Sequence, residues 1–136
     1  MAALGTRPLI GMVHLPALPG APEYGGSRDR IHEAAVTDAA TLAAAGFDAV
    51  LVENFGDAPF YPDSVPNHTV AEMTALARAV DSAVDCPVGV NVLRNDAEAA
   101  LSVAAAAGGS FVRVNVHTGV RATDQGWLEG QAHETM

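Results

Sequence analysis

A chain of 136 residues, 49% of them hydrophobic, fits one ordinary domain and excludes a disordered polar tail. Lysine is absent and all seven basic residues are Arg, which excludes Schiff-base lysine chemistry and a phosphate-cradling Walker lysine from this chain. The net charge of −9 argues against binding nucleic acid through its phosphates, and a single cysteine permits no intrachain disulfide and no cysteine-based zinc cluster.

The first element in chain order is the apolar run Pro8–His14. The stretch before and into it, Met1–Gly11, has one Arg and no long apolar core of a targeting segment. A loop follows, Leu15 to Asp29, stiffened by three prolines. Within it Gly25-Gly26 is either a structural turn or a source of backbone N–H groups for an anion. A helical pattern covers Arg30–Ala45, closed by Gly46. The second run is Phe47–Glu53, and its loop carries Glu53, Asn54, Asp57, Phe55, Phe60 and Tyr61. These carboxylates and Asn54 suit acid–base work or a metal, and the aromatics either stack on a ligand or anchor the loop.

The next helix has the clearest period, with Val70, Met73, Leu76, Ala77, Val80 and Val84 recurring at three and four. Thr69 with Glu72 reads as its capping box, and Asn95 with Glu98 as that of the following helix, Asp96–Ala107. Between these helices lies the third run, Pro87–Leu93, preceded by Cys86 as a packing residue. Gly108 closes the third helix and the fourth run spans Phe111–His117. A polar, Gly-rich tail follows, bearing Thr118, Asp124, Gln125, Glu129 and His133. Its histidines form no metal-binding motif, so neither a metal nor a cofactor is expected.

Val-rich runs alternating with helices predict a parallel α/β sheet with right-handed crossovers. The links after the helices are short and those after the strands are long, which places the chemistry at the carboxyl ends of the strands. Side chains alternate along a strand. One face collects Val13, Val50, Val52, Val88, Val90, Val92, Val112, Val114 and Val116, a seat for helices. The other collects His14, Glu53, Asn91, Arg113 and Asn115, which fits the interior and mouth of a barrel. Arg113 then needs a carboxylate or a ligand anion, and Glu53 is the first candidate. Arg94, just past the third run, is a natural fork for phosphate or carboxylate. Asn95 reads as a cap rather than a ligand.

The blocks Gly11–Gly20, Val52–Pro62, Gly89–Asp96 and Arg113–Val116, followed by Thr118-Gly, Thr123–Gly126 and Glu129–His133, resemble the BtpA/SgcQ family. The resemblance spans nearly the whole chain in order. It implies a TIM barrel related to phosphate-binding barrels. Family members are implicated in photosystem I biogenesis, and others accompany sugar-transport systems. A complete barrel of this kind has eight βα units in roughly 250 residues. The resemblance therefore implies that residues 1–136 form a single partial barrel domain of about four strands. A flavodoxin-like strand order, 2-1-3-4, is the alternative.

The functional expectation is a small phosphorylated or sugar-derived ligand. Glu53, His14 and Asp57 would act as catalytic groups, and Asn91, Arg94, Arg113, Asn115, Thr118, Asp124 and Gln125 would bind substrate. The alternatives are a non-enzymatic photosystem I assembly factor and an inactive truncated product. No apolar stretch reaches the ~18 residues of a membrane span, so a cytoplasmic location is expected, with peripheral membrane association open. Unpaired outer strands also predict self-association through sheet edges.

Overall fold

The computed structural model describes residues 4–136, so the expectation about Met1–Gly11 falls partly outside the described residues. Strand β1 (Ile10–His14), helix α1 (Arg28–Ala44), β2 (Ala49–Glu53), α2 (Asn67–Ala83), β3 (Val88–Asn91), α3 (Ala97–Ala107) and β4 (Phe111–Val112) follow in sequence. A 3-10 turn, Phe55–Asp57, interrupts the β2–α2 loop. The four strands form one parallel sheet in the order β1-β2-β3-β4. The flavodoxin-like order does not occur.

Helix α1 packs on α2 and α2 on α3, while α1 and α3 each lie against two strands. Consecutive helices in mutual contact share one face of the sheet, which is the arrangement of half a TIM barrel. Register explains the two faces. Val13 pairs with Val52, Val52 with Val90, and Val90 with Val112. Val13, Val52 and Val90 are fully buried in one cluster with Met73, Val80 and Val103 of the helices. Alanine lets the helices approach closely: Ala35 and Ala39 of α1 and Ala100, Ala104 and Ala107 of α3 are all buried. Burial of this surface, at about 25 cal/mol per Å² of apolar area, is what drives the sheet and helices together.

The opposite row is polar at its upper end, as strand parity predicts: His14 pairs with Glu53, and Glu53 with Asn91, at the carboxyl ends of three strands. Lower on this face the Phe111 ring lies over Gly89, where any Cβ would collide with it. Gly89 is thus the residue that lets the ring cover β3.

Several local expectations are corrected. Helix α1 begins two residues early, capped by Ser27, whose hydroxyl accepts from Arg30 N–H at 3.3 Å. Thr69 does not cap α2: the helix starts at Asn67 after Pro66, and Thr69 sits buried in the first turn. Asp96 rather than Asn95 caps α3, accepting from Ala99 N–H at 2.9 Å. Gly108 does close α3 in the left-handed conformation, at φ 90°.

The fourth strand is far shorter than the run Phe111–His117. Arg113 N–H still donates to Val90 C=O at 3.0 Å. Beyond it the backbone leaves the ladder, because Asn95 captures it: Val116 N–H donates to Asn95 Oδ1 at 2.8 Å and Asn95 Nδ2 donates to Val116 C=O at 2.9 Å. This is also why Asn95 is not available as a cap.

The tail is not an open loop. Strands β5 (Val120–Thr123) and β6 (Gly126–Glu129) form an antiparallel hairpin, and a short helix α4 (Ala132–Thr135) follows. The Thr123 hydroxyl donates to Gly126 C=O at 2.7 Å and closes the turn. Leu128 is buried beneath the hairpin, while Val120 and Trp127 face outward.

Candidate functional site

Glu53 is the hub of the polar row. It ends β2, and strand alternation turns it away from the helices into a side chain only 5% exposed. One carboxylate oxygen, Oε2, lies 3.0 Å from His14 Nε2. The other, Oε1, accepts from Asn91 Nδ2 at 2.6 Å and stands 3.8 Å from Arg113 Nη1. The partner that sequence assigns to Arg113 is therefore within ion-pair range. Burying a carboxylate costs free energy unless donors surround it, and here three elements supply them.

His14 and Arg113 are the solvent-facing members, with side chains 45% and 55% exposed. The imidazole of His14 also stacks on the Phe55 ring, with centroids 4.2 Å apart and planes at 9°. That contact fixes the ring plane while Glu53 holds Nε2. Phe55 thus anchors the loop onto the histidine, one of the two roles its sequence context allows.

The network continues along β3. Asn91 Nδ2 also donates to Asn115 Oδ1 at 3.1 Å, and Asn115 Nδ2 donates to Arg94 C=O at 2.7 Å. Arg94 itself is 7% exposed. Its Nη1 donates to Thr123 Oγ1 across a long 3.5 Å, and its Nε is buried without a partner. No carboxylate forms an ion pair with it among the described residues. A buried guanidinium with an orphaned donor and no counter-charge is suited to receive an anion.

Asp57 stands apart from this row. Its Oδ1 accepts from Leu18 N–H at 2.8 Å and its Oδ2 from Asn54 Nδ2 at 3.2 Å. Burial pushes its carboxyl above the ordinary value, opposed by the Leu18 and Asn54 hydrogen bonds and by the nearby charge of His68. The 3-10 turn that carries Asp57 passes hard against the β1–α1 loop. Gly56 N–H donates to Leu15 C=O at 3.0 Å, and a Cβ on Gly56 would run into the backbone of Leu15 and Ala17. Among the tail residues, Gln125 reaches across to accept from Phe60 N–H at 3.0 Å. Thr118 and Asp124 are exposed and lie outside the network.

Sequence reasoning does not single out Thr123 as a site residue, and it groups Asn54 with the loop carboxylates for acid–base or metal work, whereas here Asn54 bonds Leu93 and Asp57. Asn54 is 1% exposed; its Oδ1 accepts from Leu93 N–H at 2.7 Å, tying the ends of β2 and β3. Its place one residue past Glu53, with opposite parity, is the available signal. Among the described residues no group of three or more His, Cys, Asp or Glu is placed to hold a metal ion.

Four parallel strands with helices on one face and a polar row at their carboxyl ends define a half-barrel of the TIM type, with its candidate site at the barrel mouth. The chain belongs to the BtpA family: the family's profile matches residues 5–136. It is 56% identical over 128 residues to an uncharacterized protein of Thermococcus kodakarensis, covering 94% of this chain and 49% of that one. An uncharacterized protein of Pyrococcus furiosus is 52% identical over 128 residues, covering 94% and 48% respectively. The photosystem I biogenesis protein BtpA of Synechocystis is 49% identical over 130 residues, covering 96% of this chain and 45% of its own length. The chain thus spans about half the length of the curated relatives it matches. No solved structure matches it significantly. No helix of the described residues is long and apolar enough to cross a membrane.

Proposed function

We propose that the polar row is an acid–base site for a small anionic metabolite, phosphorylated or sugar-derived, in the cytoplasm. The observation that carries this reading is Glu53: a buried carboxylate at the barrel mouth, joined at once to a half-exposed imidazole, an amide and a guanidinium. In this reading His14 exchanges a proton with the ligand, and Glu53 holds and orients the imidazole. Arg113 meets the anionic group from the solvent side and Arg94 from beneath the hairpin. Asn91 and Asn115 hold the ligand's hydroxyls in place.

Calorimetric titration with ribose 5-phosphate, and with ribose as the uncharged control, tests it. The phosphorylated sugar should bind at least tenfold more tightly, and Arg113→Ala should remove most of that preference. Equal binding of the two sugars, or a preference untouched by Arg113→Ala and by Glu53→Gln, overturns it.

The 49% identity to a photosystem I biogenesis protein favours a second reading, a non-enzymatic assembly role. There, variants of the polar row leave the role intact and variants of the loops or outer helix faces abolish it.

A further inference from the structure

A cavity lies beside the row and shares none of its charged residues. This cleft, of about 350 Å³, opens between the β1–α1 loop, the β2–α2 loop and the first turn of α2. Asn54, Asp57, Phe60, Tyr61, His68 and Thr69 line it together with three prolines, and His14, Glu53, Asn91 and Arg113 do not. Parity explains the separation. Glu53 points to the barrel interior, whereas Asn54 has the opposite parity and faces the side on which α2 begins.

Asp57 is the only carboxylate in this lining, no Arg is present, and the one basic side chain is His68, whose charge only partly offsets the burial of Asp57. It is held rigidly, with Leu18 N–H on one oxygen and the Asn54 amide on the other. Asn54 is in turn locked to Leu93. Two donors leave about half of a carboxylate's acceptor sites open. Partial burial makes the remaining charge more demanding of a partner. The surrounding surface is mainly apolar and aromatic, and an aromatic face attracts a cation. Thr69 adds a hydroxyl acceptor at the helix end of the cleft. A cavity of this volume is at the small end of the range for organic ligands.

We propose that this cleft binds a small organic ammonium ion, its N–H groups on Asp57 and its apolar body against Phe60, Tyr61 and the prolines. The site is independent of the acid–base row. An anion is disfavoured by Asp57, and a neutral ligand brings the carboxylate no counter-charge beyond that of His68.

Benzylamine and its neutral counterpart benzyl alcohol are the probes, titrated into the full chain by calorimetry and by amide-resolved NMR. Benzylamine should bind at least tenfold more tightly than benzyl alcohol and shift the amides around Asp57, Tyr61 and His68. Asp57→Asn should erase the difference between the probes. Tyr61→Ala, at an exposed position, should weaken both without unfolding the chain. Arg113→Ala should leave benzylamine binding unchanged. Equal binding of the two probes, no benzylamine binding, or shifts confined to other parts of the molecule overturn the proposal. The NMR map of the unaltered chain decides the matter even where Asp57→Asn does not fold.

Discussion

Glu53 and Asp57 lie four residues apart on one strand-to-helix connection, yet their surroundings have little in common. Glu53 is nearly sealed and meets an imidazole, an amide and a guanidinium from three other elements. Asp57 is half-buried, receives one backbone N–H and one amide, and has its carboxyl raised by burial. Strand parity governs the first and the tight 3-10 turn governs the second. A short stretch of chain can thus serve two chemically distinct pockets. The separation depends on one residue, Asn54, which sits between them and fixes the end of the strand.

Asn54→Ala should therefore have the largest effect. It leaves the buried Leu93 N–H without an acceptor, opens a small void, and frees one side of Asp57. Loss of about 3 kcal/mol is expected from an orphaned donor plus a cavity. Urea unfolding measures it. A loss below about 1 kcal/mol would mean that the two pockets are not held apart by this side chain.

Glu53→Ala should cost less, about 2 kcal/mol, because His14 and Arg113 can turn to solvent while only Asn91 loses a buried acceptor. The same variant should abolish the binding preference for the phosphorylated sugar. If stability falls and that preference survives, the row is a structural network and the acid–base reading fails.

Arg94→Met separates stability from function. The guanidinium is buried with an unpartnered Nε, so an apolar side chain of similar length should leave stability unchanged or raise it by up to about 2 kcal/mol. Affinity for the phosphorylated sugar should fall at least tenfold. Thermal unfolding with and without that sugar reads both. A marked loss of stability in the free chain would show that Arg94 serves the fold instead.

How much of the fold and site is legible in the sequence follows the range of the interactions. Strand parity needs only neighbours along the chain, so the row His14, Glu53 and Asn91 can be read from the amino-acid order alone. The helix-facing valines are legible for the same reason, as are the long loops at the strand ends. What sequence misses depends on contacts between distant segments. Asn95 and Asp96 are adjacent and both can cap a helix. Asp96 does so because Asn95 is engaged by Val116, twenty-one residues away. That same engagement ends β4 early. The hairpin is hidden because its two-residue turn, Asp124-Gln125, lacks the Asn-Gly or Asp-Gly signature. Sequence groups Asp57 with Glu53 because both are acidic residues of one loop; composition says nothing of which way each one turns.

The smallest expected effect is a pH dependence carried by Asp57. Burial raises its carboxyl above the ordinary value of about 3.9, against the pull of Leu18, Asn54 and His68. The folded state then binds this proton more tightly than the unfolded chain does. Below the unfolded value both states are protonated, and the favourable contribution is fully present. It is lost as pH rises through the raised folded value, so at neutral pH the ionised Asp57 weighs against folding. Asp57→Asn carries no such titration. Urea unfolding of both chains from pH 3.5 to 7 should show the stability of the native chain, relative to the variant, falling as pH rises. Glu53→Gln, compared in the same way, removes a carboxylate from the other pocket and leaves the Asp57 slope in place. A native-minus-variant difference that instead rises with pH would mean that the hydrogen bonds on Asp57 outweigh its burial.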